Sequence, residues 1–530
     1  MLEAEKRLEQ KVADLASEIA LLHTHLEGLG RRLAALEQAG VSESRPTRPA
    51  TLQRSPAPED MLNLAESGAF LPRTAAICFL LVAALILRTI TDNGIIDQQL
   101  GSLLGLGYAA ALISWGWRLY ATGNRLAPVF PVSGLLLLFS IILEAHGHFH
   151  TLSTMWAYGT LFIAGGSVTY LGLRFRARFT LCVAGLATGL VGLAIDFPYP
   201  VFPIPALLIL AANLGASIAS RRGLCPSLRW TTLLLSLIFW LFWSFKLSIP
   251  PVCDEPTAGL LYLAWFFPVL GLYLLFYLIS GVINVLHRPQ LGFFDGVLPT
   301  ISATGALLAS LTVFGNWHEP RLAWLGIITI LTGLVLLALA AWLARRHPKE
   351  GRGCNCFSFA GIILVAAGLA IAVKNLLWVL PVWAAAGYGL ARLSARWQNG
   401  GVRVTSYLLQ AATCLVAVLS GAITTVNNSS APALLAAGCL TIISLLHYQW
   451  CRNNQPIAVQ SAYFSWLDRQ DLSAVVLLLA ALVSGFCFFR LGLHAILSRT
   501  SADLEAAFKG GQTVLVNGGA ILLLLTALRR

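Results

Sequence analysis

Charged side chains are scarce in this sequence. Only 11% of its 530 residues are Asp, Glu, Lys or Arg, whereas 57% are hydrophobic. An ordinary soluble domain has about 25% charged and about 45–50% apolar residues. This chain therefore has too few polar side chains to cover a globular surface in water. The composition excludes an ordinary soluble protein and predicts that lipid covers much of the chain.

Signatures of catalysis and of secretion are also missing. We find no phosphate-binding glycine loop, nucleophile elbow or HExxH motif, and no polar insertion long enough to form a soluble catalytic domain. The ten cysteines lie mostly inside apolar runs, so we expect no disulfide framework. Cys354 and Cys356 form a CxC near His347, which without a second pair is weak support for a metal. We expect no signal peptide, because the N-terminus is a polar heptad helix.

Long apolar runs fill the chain from about residue 73 to its end. They are continuous and lack the alternation of barrel strands, which predicts transmembrane helices of about 20 residues. We count about 16 spans and predict an all-α, polytopic membrane protein whose transmembrane domain covers residues 73–530. Basic turns recur between Gly- and Leu-rich runs, which predicts repeated helical hairpins. Around Lys374 and Asp196, one re-entrant pair is the alternative to two true spans.

The basic excess predicts orientation in the membrane. The chain has 36 Lys and Arg against 24 Asp and Glu, a net charge of +12. The basic residues favour one set of alternate connections by about three to one, as the positive-inside rule requires. We therefore expect both termini in the cytoplasm, and we do not expect a nucleic-acid partner because the excess is scattered.

The N-terminal segment has a different pattern. Apolar residues alternate at spacings of four and three, which is typical of a parallel coiled coil with β-branched residues at a and Leu at d. The seam consists of Leu8, Val12, Leu15, Ile19, Leu22, Leu26, Leu29, Leu33 and Leu36. We predict a cytoplasmic coiled coil over 1–39 and a Pro-rich flexible linker over 40–72. The seam predicts a homodimer or another coiled-coil partner through residues 8–36, and docking on the protein's own loops is the alternative.

The stretch LPRTAAICFLLVAALILRTITDNGIIDQQLGSLLGLGYAAALISWGWRL follows this tail and linker. Together they resemble a large family of bacterial multi-spanning membrane proteins known as domain of unknown function 2339. The similarity covers the tail, the first two spans with residues 92–95 at their turn, and more loosely the hairpins behind them. The resemblance implies a bacterial inner-membrane protein and transfers no catalytic residue.

A histidine cluster follows the third predicted span. In the segment EAHGHFH, His146, His148 and His150 alternate after Glu144. An extended loop would present all three rings on one side, whereas a helix would align His146 with His150. Three imidazoles and a carboxylate are ligands suited to zinc or a similar divalent ion, the one metal that we predict. The alternative interpretation is a solvated loop at a helix end.

Charged residues beside apolar runs define a candidate polar site on the predicted outer face. Its members are Asp92, Asp97, Glu144, Asp196, Lys246, Lys374 and Arg490. Charges near hydrocarbon are costly, so such side chains line a cavity, form pairs, or reach the headgroups. One hypothesis is a pocket for an anionic lipid head or glycan phosphate. The alternative is that the Lys and Arg side chains snorkel individually.

Three functional hypotheses follow from these patterns. We favour a non-enzymatic protein that organises or handles a lipid-like or cell-envelope substrate, with membrane lipids as partners and no resident cofactor. The second hypothesis is a membrane-embedded glycosyl or lipid-linked transferase that uses Asp92 or Asp97 in the first outer loop. The third is a secondary transporter, which predicts inverted halves and a charged site near mid-membrane.

Overall fold

The architecture comes from a computed structural model of the full chain. It describes residues 97–124, 126–195, 202–248, 256–287, 292–314, 319–346, 353–425, 431–454, 472–500 and 504–528, with a few positions between 77 and 93. The predicted coiled coil and linker, residues 1–39 and 40–72, lie outside the described residues. Residues 73–530 form one compact unit.

The described residues are helical and include no strand. The helices are α1 (Gln98–Ala121), α2 (Val129–Gly147), α3 (Thr154–Arg174), α4 (Arg178–Ala194), α5 (Pro203–Arg221), α6 (Ser227–Ser248), α7 (Pro256–His287), α8 (Phe293–Phe314), α9 (Glu319–Arg346), α10 (Cys354–Ala372), α11 (Leu376–Trp397), α12 (Gly400–Leu419), α13 (Ala431–Asn453), α14 (Leu472–Thr500) and α15 (Leu504–Leu528). The all-helical fold is therefore confirmed for this part of the chain.

Twelve of these helices are long and apolar enough to cross a membrane, judged by length and composition. The multi-pass architecture agrees with the sequence prediction, whereas the number of about 16 spans stays a prediction. Two candidate spans, α10 and α11, flank Lys374, and their length and composition favour two spans over a re-entrant pair there. The helix before Asp196, α4, is apolar but has only 17 residues.

Successive helices pack as antiparallel hairpins. The pairs α1 and α2, α3 and α4, α5 and α6, α7 and α8, α9 and α10, α11 and α12, and α13 and α14 are each in contact. Local sequence explains the sharpest turn: Gln398 adopts φ 49°, which ends α11, and the side chain of Asn399 accepts a hydrogen bond from the backbone N–H of Val402. A left-handed residue followed by an Asn cap reverses the chain within two residues.

The closest hairpin is α9 with α10, and glycines make it possible. A Cβ atom on Gly333 would lie 2.7 Å from the carbonyl oxygen of Gly361, and one on Gly368 would lie 2.8 Å from that of Gly326. Each helix carries its two glycines seven residues apart, so the contact repeats after two turns. Small residues allow helix backbones to approach closely inside lipid, where no hydrophobic force drives helices together.

An aromatic core lies between α5, α6, α7 and α8. Phe239, Trp240, Trp243, Phe266 and Tyr273 are almost completely buried there. In contrast, many large apolar side chains on the outer faces of the helices are exposed, including Phe162, Phe245, Trp324, Leu415 and Ile442. A surface this apolar is suited to lipid and not to water.

Candidate functional site

The residues of the predicted outer site are spread over the fold. Asp92 and Asp196 lie outside the described residues. Asp97 is exposed at the start of α1, Lys374 is exposed between α10 and α11, and Glu144, Lys246 and Arg490 are half-buried on α2, α6 and α14. Among the described residues, α2, α6 and α14 do not pack substantially against one another. A single outer pocket that contains all of these side chains therefore stays a prediction.

Arg490 has a local set of contacts. Its Nη1 donates a hydrogen bond of 2.8 Å to the carbonyl oxygen of Thr424, and its guanidinium lies 5.8 Å from the ring centroid of Phe508. These contacts connect α14 to the segment after α12 and to α15. Within the described structure, the guanidinium works as a link between helices.

The three predicted metal ligands lie in the turn that ends α2. His146 Nδ1 is 2.8 Å from the carbonyl oxygen of Leu152, and His150 Nδ1 is 3.1 Å from the carbonyl oxygen of His146. The His148 ring packs edge-on against Phe149. No group of three or more His, Cys, Asp or Glu residues in the described ranges is arranged to hold a metal. The divalent ion stays a prediction, and two of the rings contact backbone carbonyls at the helix end.

A buried ion pair joins α6 to α8. Arg229 Nη2 lies 2.5 Å from Asp295 Oδ1, and the two side chains are only 6% and 1% exposed. Asn284 of α7 donates a hydrogen bond of 3.0 Å to the same carboxylate oxygen. The Phe294 ring centroid is 4.0 Å from the guanidinium carbon, a cation–π contact. Arg229 and Asp295 each occupy the third position of their helix, and α6 packs on α8, so the two first turns meet.

Polar contacts continue from this pair toward the middle of the helices. Asn213 donates a hydrogen bond of 2.8 Å to Ser236 Oγ, and the hydroxyl of Tyr277 lies within hydrogen-bond distance of both residues. Ser217 and Ser280 pair at 3.2 Å. Together with Arg229, Asn284 and Asp295, these residues form a group that we call the α5–α8 polar cluster. Its eight members are Asn213, Ser217, Arg229, Ser236, Tyr277, Ser280, Asn284 and Asp295.

The interior of the α5–α8 polar cluster is nearly filled. A cavity of about 10 Å³ lies beside Arg229, with Asn213, Ser217 and Tyr277 on its wall. This is about the room that one water molecule needs. Burying two charges costs several kcal/mol per ion, and the pair repays that cost only when its hydrogen bonds are well made. The cluster is therefore nearly filled, and its two charges are paired with each other.

A second group of polar side chains is buried between α12, α13 and α14. Arg403 donates to the Tyr407 hydroxyl at 2.5 Å and to the carbonyl oxygen of Asn454 at 2.9 Å. His447 is fully buried, with Nε2 3.4 Å from Ser406 Oγ. These contacts link α12 to α13 and to the residue that follows α13, and they supply no arrangement of nucleophile, base and third orienting group.

Our sequence interpretation missed the α5–α8 polar cluster because it assigned Arg229 to a connection and ignored Asp295. The signal was present in the spacing of polar residues inside apolar runs. Asn213 and Ser217 are four apart, Arg229 and Ser236 seven apart, and the α7 members Tyr277, Ser280 and Asn284 follow at three and four. Such spacing places polar side chains on one face of a helix.

Known proteins add no analogy for this arrangement. The chain matches no family model, no curated protein and no solved structure.

Proposed function

We propose that this protein is a non-enzymatic, multi-pass protein of the bacterial inner membrane that handles a lipid-like or cell-envelope substrate with an anionic group. The α5–α8 polar cluster is its working site. The buried Arg229–Asp295 pair carries this proposal, because it is costly to take two charges out of water inside the helical bundle, and such a pair is therefore a candidate functional site. The resemblance to domain of unknown function 2339 and the cytoplasmic termini belong to the same proposal.

The chemistry of the pair favours an anionic headgroup. A guanidinium forms planar, bidentate hydrogen bonds with phosphate and carboxylate groups. Arg229 lies in the first turn of a candidate span, so in a membrane-spanning α6 it would be closer to the lipid headgroups than to the hydrocarbon centre. A phosphate that enters between α6 and α8 would replace Asp295 as the acceptor for Arg229. Because the cavity has room for about one water, entry requires these helices to separate.

Lipid retention by purified protein tests this proposal. We expect the full chain to retain phosphatidylglycerol over phosphatidylcholine in native mass spectrometry, and Arg229→Gln to weaken that retention by about tenfold or more. A hydrogen bond to a charged group contributes about 1.5–3 kcal/mol, which corresponds to a factor of that size. Arg229→Lys, which keeps the charge but loses the bidentate geometry, should be intermediate.

Arg392→Gln is the matched control, since this arginine is exposed beside the Tyr388 ring. Equal retention by the wild type, Arg229→Gln and Arg392→Gln would contradict the proposal. A similar loss in both glutamine variants would show that general surface charge attracts the lipid.

A secondary transporter is the second candidate, and one observation favours it. Asn213, Ser236 and Tyr277 form a hydrogen-bonded group near the middle of their helices, where transporters bind substrates or coupling ions. Proteoliposomes with an internal pH dye provide the test. Proton uptake driven by a potential and abolished in Asp295→Asn would support transport, whereas identical traces with and without protein would exclude proton coupling.

The transferase hypothesis gains no support from the described residues. Asp97 is exposed at the start of α1, and no cluster of three or more acidic, His or Cys side chains forms in the described part of the chain. Self-association through residues 8–36 remains part of the proposal. Leu15→Glu combined with Leu22→Glu should convert a dimer to a monomer in mass photometry, and an unchanged mass would exclude the predicted seam as the contact.

A further inference from the structure

Two cysteines that are distant in the sequence meet at one end of the bundle. Cys182 lies in the second turn of α4, and Cys225 lies in the short turn between α5 and α6. Their sulfur atoms are 2.8 Å apart, although 43 residues separate them along the chain. Both are free thiols. The helix α4 packs against α5 and α6, so the fold itself holds the two side chains together.

The two thiols differ in their access to solvent. Cys182 is half-buried, whereas Cys225 is 8% exposed and packs among Leu181, Leu224 and Leu228. The pair lies close to basic helix ends: α4 begins at Arg178, and Arg222 donates a hydrogen bond to the backbone at the end of α3. Basic residues of this kind mark the membrane surface. A water-soluble reagent can therefore approach Cys182 more readily than Cys225, which is buried.

We propose that Cys182 and Cys225 form a reversible disulfide site that reacts with low-molecular-weight disulfides of the glutathione class. The Cys182 thiolate attacks the external disulfide, forms a mixed disulfide and releases one small thiol. The Cys225 thiolate then attacks the Cys182 sulfur, forms the internal bond and releases the second small thiol. Two protein thiols are oxidised by two electrons, one external disulfide is reduced, and the two protein protons leave on the two small thiols.

The internal bond would restrain the start of α6. Cys225 precedes Arg229 by four residues, so the bond ties α4 to the turn that leads into the first helical turn of α6. On the predicted cytoplasmic side thiols are normally kept reduced, and disulfides that form there are transient and redox-sensing. This chemistry depends on the contact between the two thiols and not on the substrate proposed above.

The CxC motif supplies a matched control. Cys354 and Cys356 are closer in sequence but lie two residues apart on one helix, α10, where side chains at that spacing do not face each other. Both are buried. Proximity in sequence therefore predicts a disulfide between Cys354 and Cys356, whereas proximity in the fold predicts one between Cys182 and Cys225.

Peptide mapping of the full-length protein in detergent tests the proposal. The protein is incubated with oxidised glutathione, remaining thiols are blocked with a maleimide, and the digest is read by mass spectrometry without reduction. We expect a linked peptide that joins Cys182 to Cys225 in place of both blocked peptides, and its disappearance after dithiothreitol. The wild type alone gives this result, so it does not depend on any variant folding.

Single substitutions then test the order of attack. Cys225→Ser should accumulate a stable mixed disulfide on Cys182, Cys182→Ser should leave Cys225 reduced, and Cys354→Ser should keep the internal bond. Maleimide on both Cys182 and Cys225 after oxidation of the wild type would overturn the proposal. An unresolved mixed disulfide on wild-type Cys182, or links from Cys182 mainly to other cysteines, would overturn it as well.

Discussion

The close glycine contact between α9 and α10 predicts that replacing Gly333 by Ala destabilises the protein, whereas the same change at an open helical glycine stabilises it. Gly333→Ala places a methyl group 2.7 Å from the Gly361 carbonyl oxygen and 2.9 Å from the Val365 backbone nitrogen. Both atoms belong to the backbone, so no side chain can rotate away and the helices must separate. Carbon contacts are favourable at about 3.5–4.0 Å. The displacement is therefore of the order of 1 Å along a tightly packed seam.

Two energies compete in this variant. Overpacking typically costs about 1–3 kcal/mol, while replacing Gly by Ala inside a helix contributes about 1 kcal/mol of stability. We expect a net loss of up to about 2 kcal/mol in the free energy of unfolding. Gly389→Ala on α11 is the control, because a Cβ atom there meets nothing within 4 Å. That variant should gain up to about 1 kcal/mol.

Unfolding by sodium dodecyl sulfate in mixed micelles, followed by far-ultraviolet circular dichroism, measures both variants on one scale. Gly333→Ala combined with Gly361→Ala should cost less than the sum of the single changes, because the first methyl group already separates the helices. A Gly333→Ala variant as stable as Gly389→Ala would contradict this account of the seam, and so would additive effects of the two changes on the facing glycines.

Two further predictions concern polar contacts. Asn213→Leu removes hydrogen bonds with Ser236 and Tyr277 inside the bundle. It should lower the free energy of unfolding by about 1–3 kcal/mol in the same assay, because buried polar groups lose their partner. A decrease below about 0.5 kcal/mol would show that these groups are hydrated. Asn399→Ala removes the cap of α12 and should lower the free energy of unfolding by about 1 kcal/mol. Asn399→Asp should retain most of the stability. Equal losses of stability in the two variants would exclude capping as the cause.

Much of the architecture could be predicted because membrane helices are specified locally. Continuous apolar runs and basic turns gave the hairpins, and each predicted basic turn from α1 to α14 lies between two helices in contact. The ambiguity at Lys374 was also local. Asn375 marks the start of α11, since its side chain accepts a hydrogen bond from the Leu377 N–H, and the helix that follows is long and apolar enough to be a span.

The candidate site was harder because it depends on which helices meet. The outer charges were grouped by membrane side, yet Glu144 on α2 and Arg490 on α14 belong to helices that do not pack substantially together in the described structure. In contrast, Arg229 and Asp295 are 66 residues apart and form a buried pair. Their sequence neighbourhood resembles any basic or acidic helix start, and only the packing of α6 on α8 joins them.

The most direct test of the central claim compares three proteins for retention of phosphatidylglycerol. If Asp295 competes with an anionic headgroup for Arg229, Asp295→Asn weakens the competitor and should bind this lipid more tightly than the wild type, while Arg229→Gln should bind it more weakly. The two substitutions affect the same ion pair, so damage to the fold alone would change retention in the same direction. Opposite shifts in native mass spectrometry are the result that we predict, and a loss of retention in both variants would contradict the account.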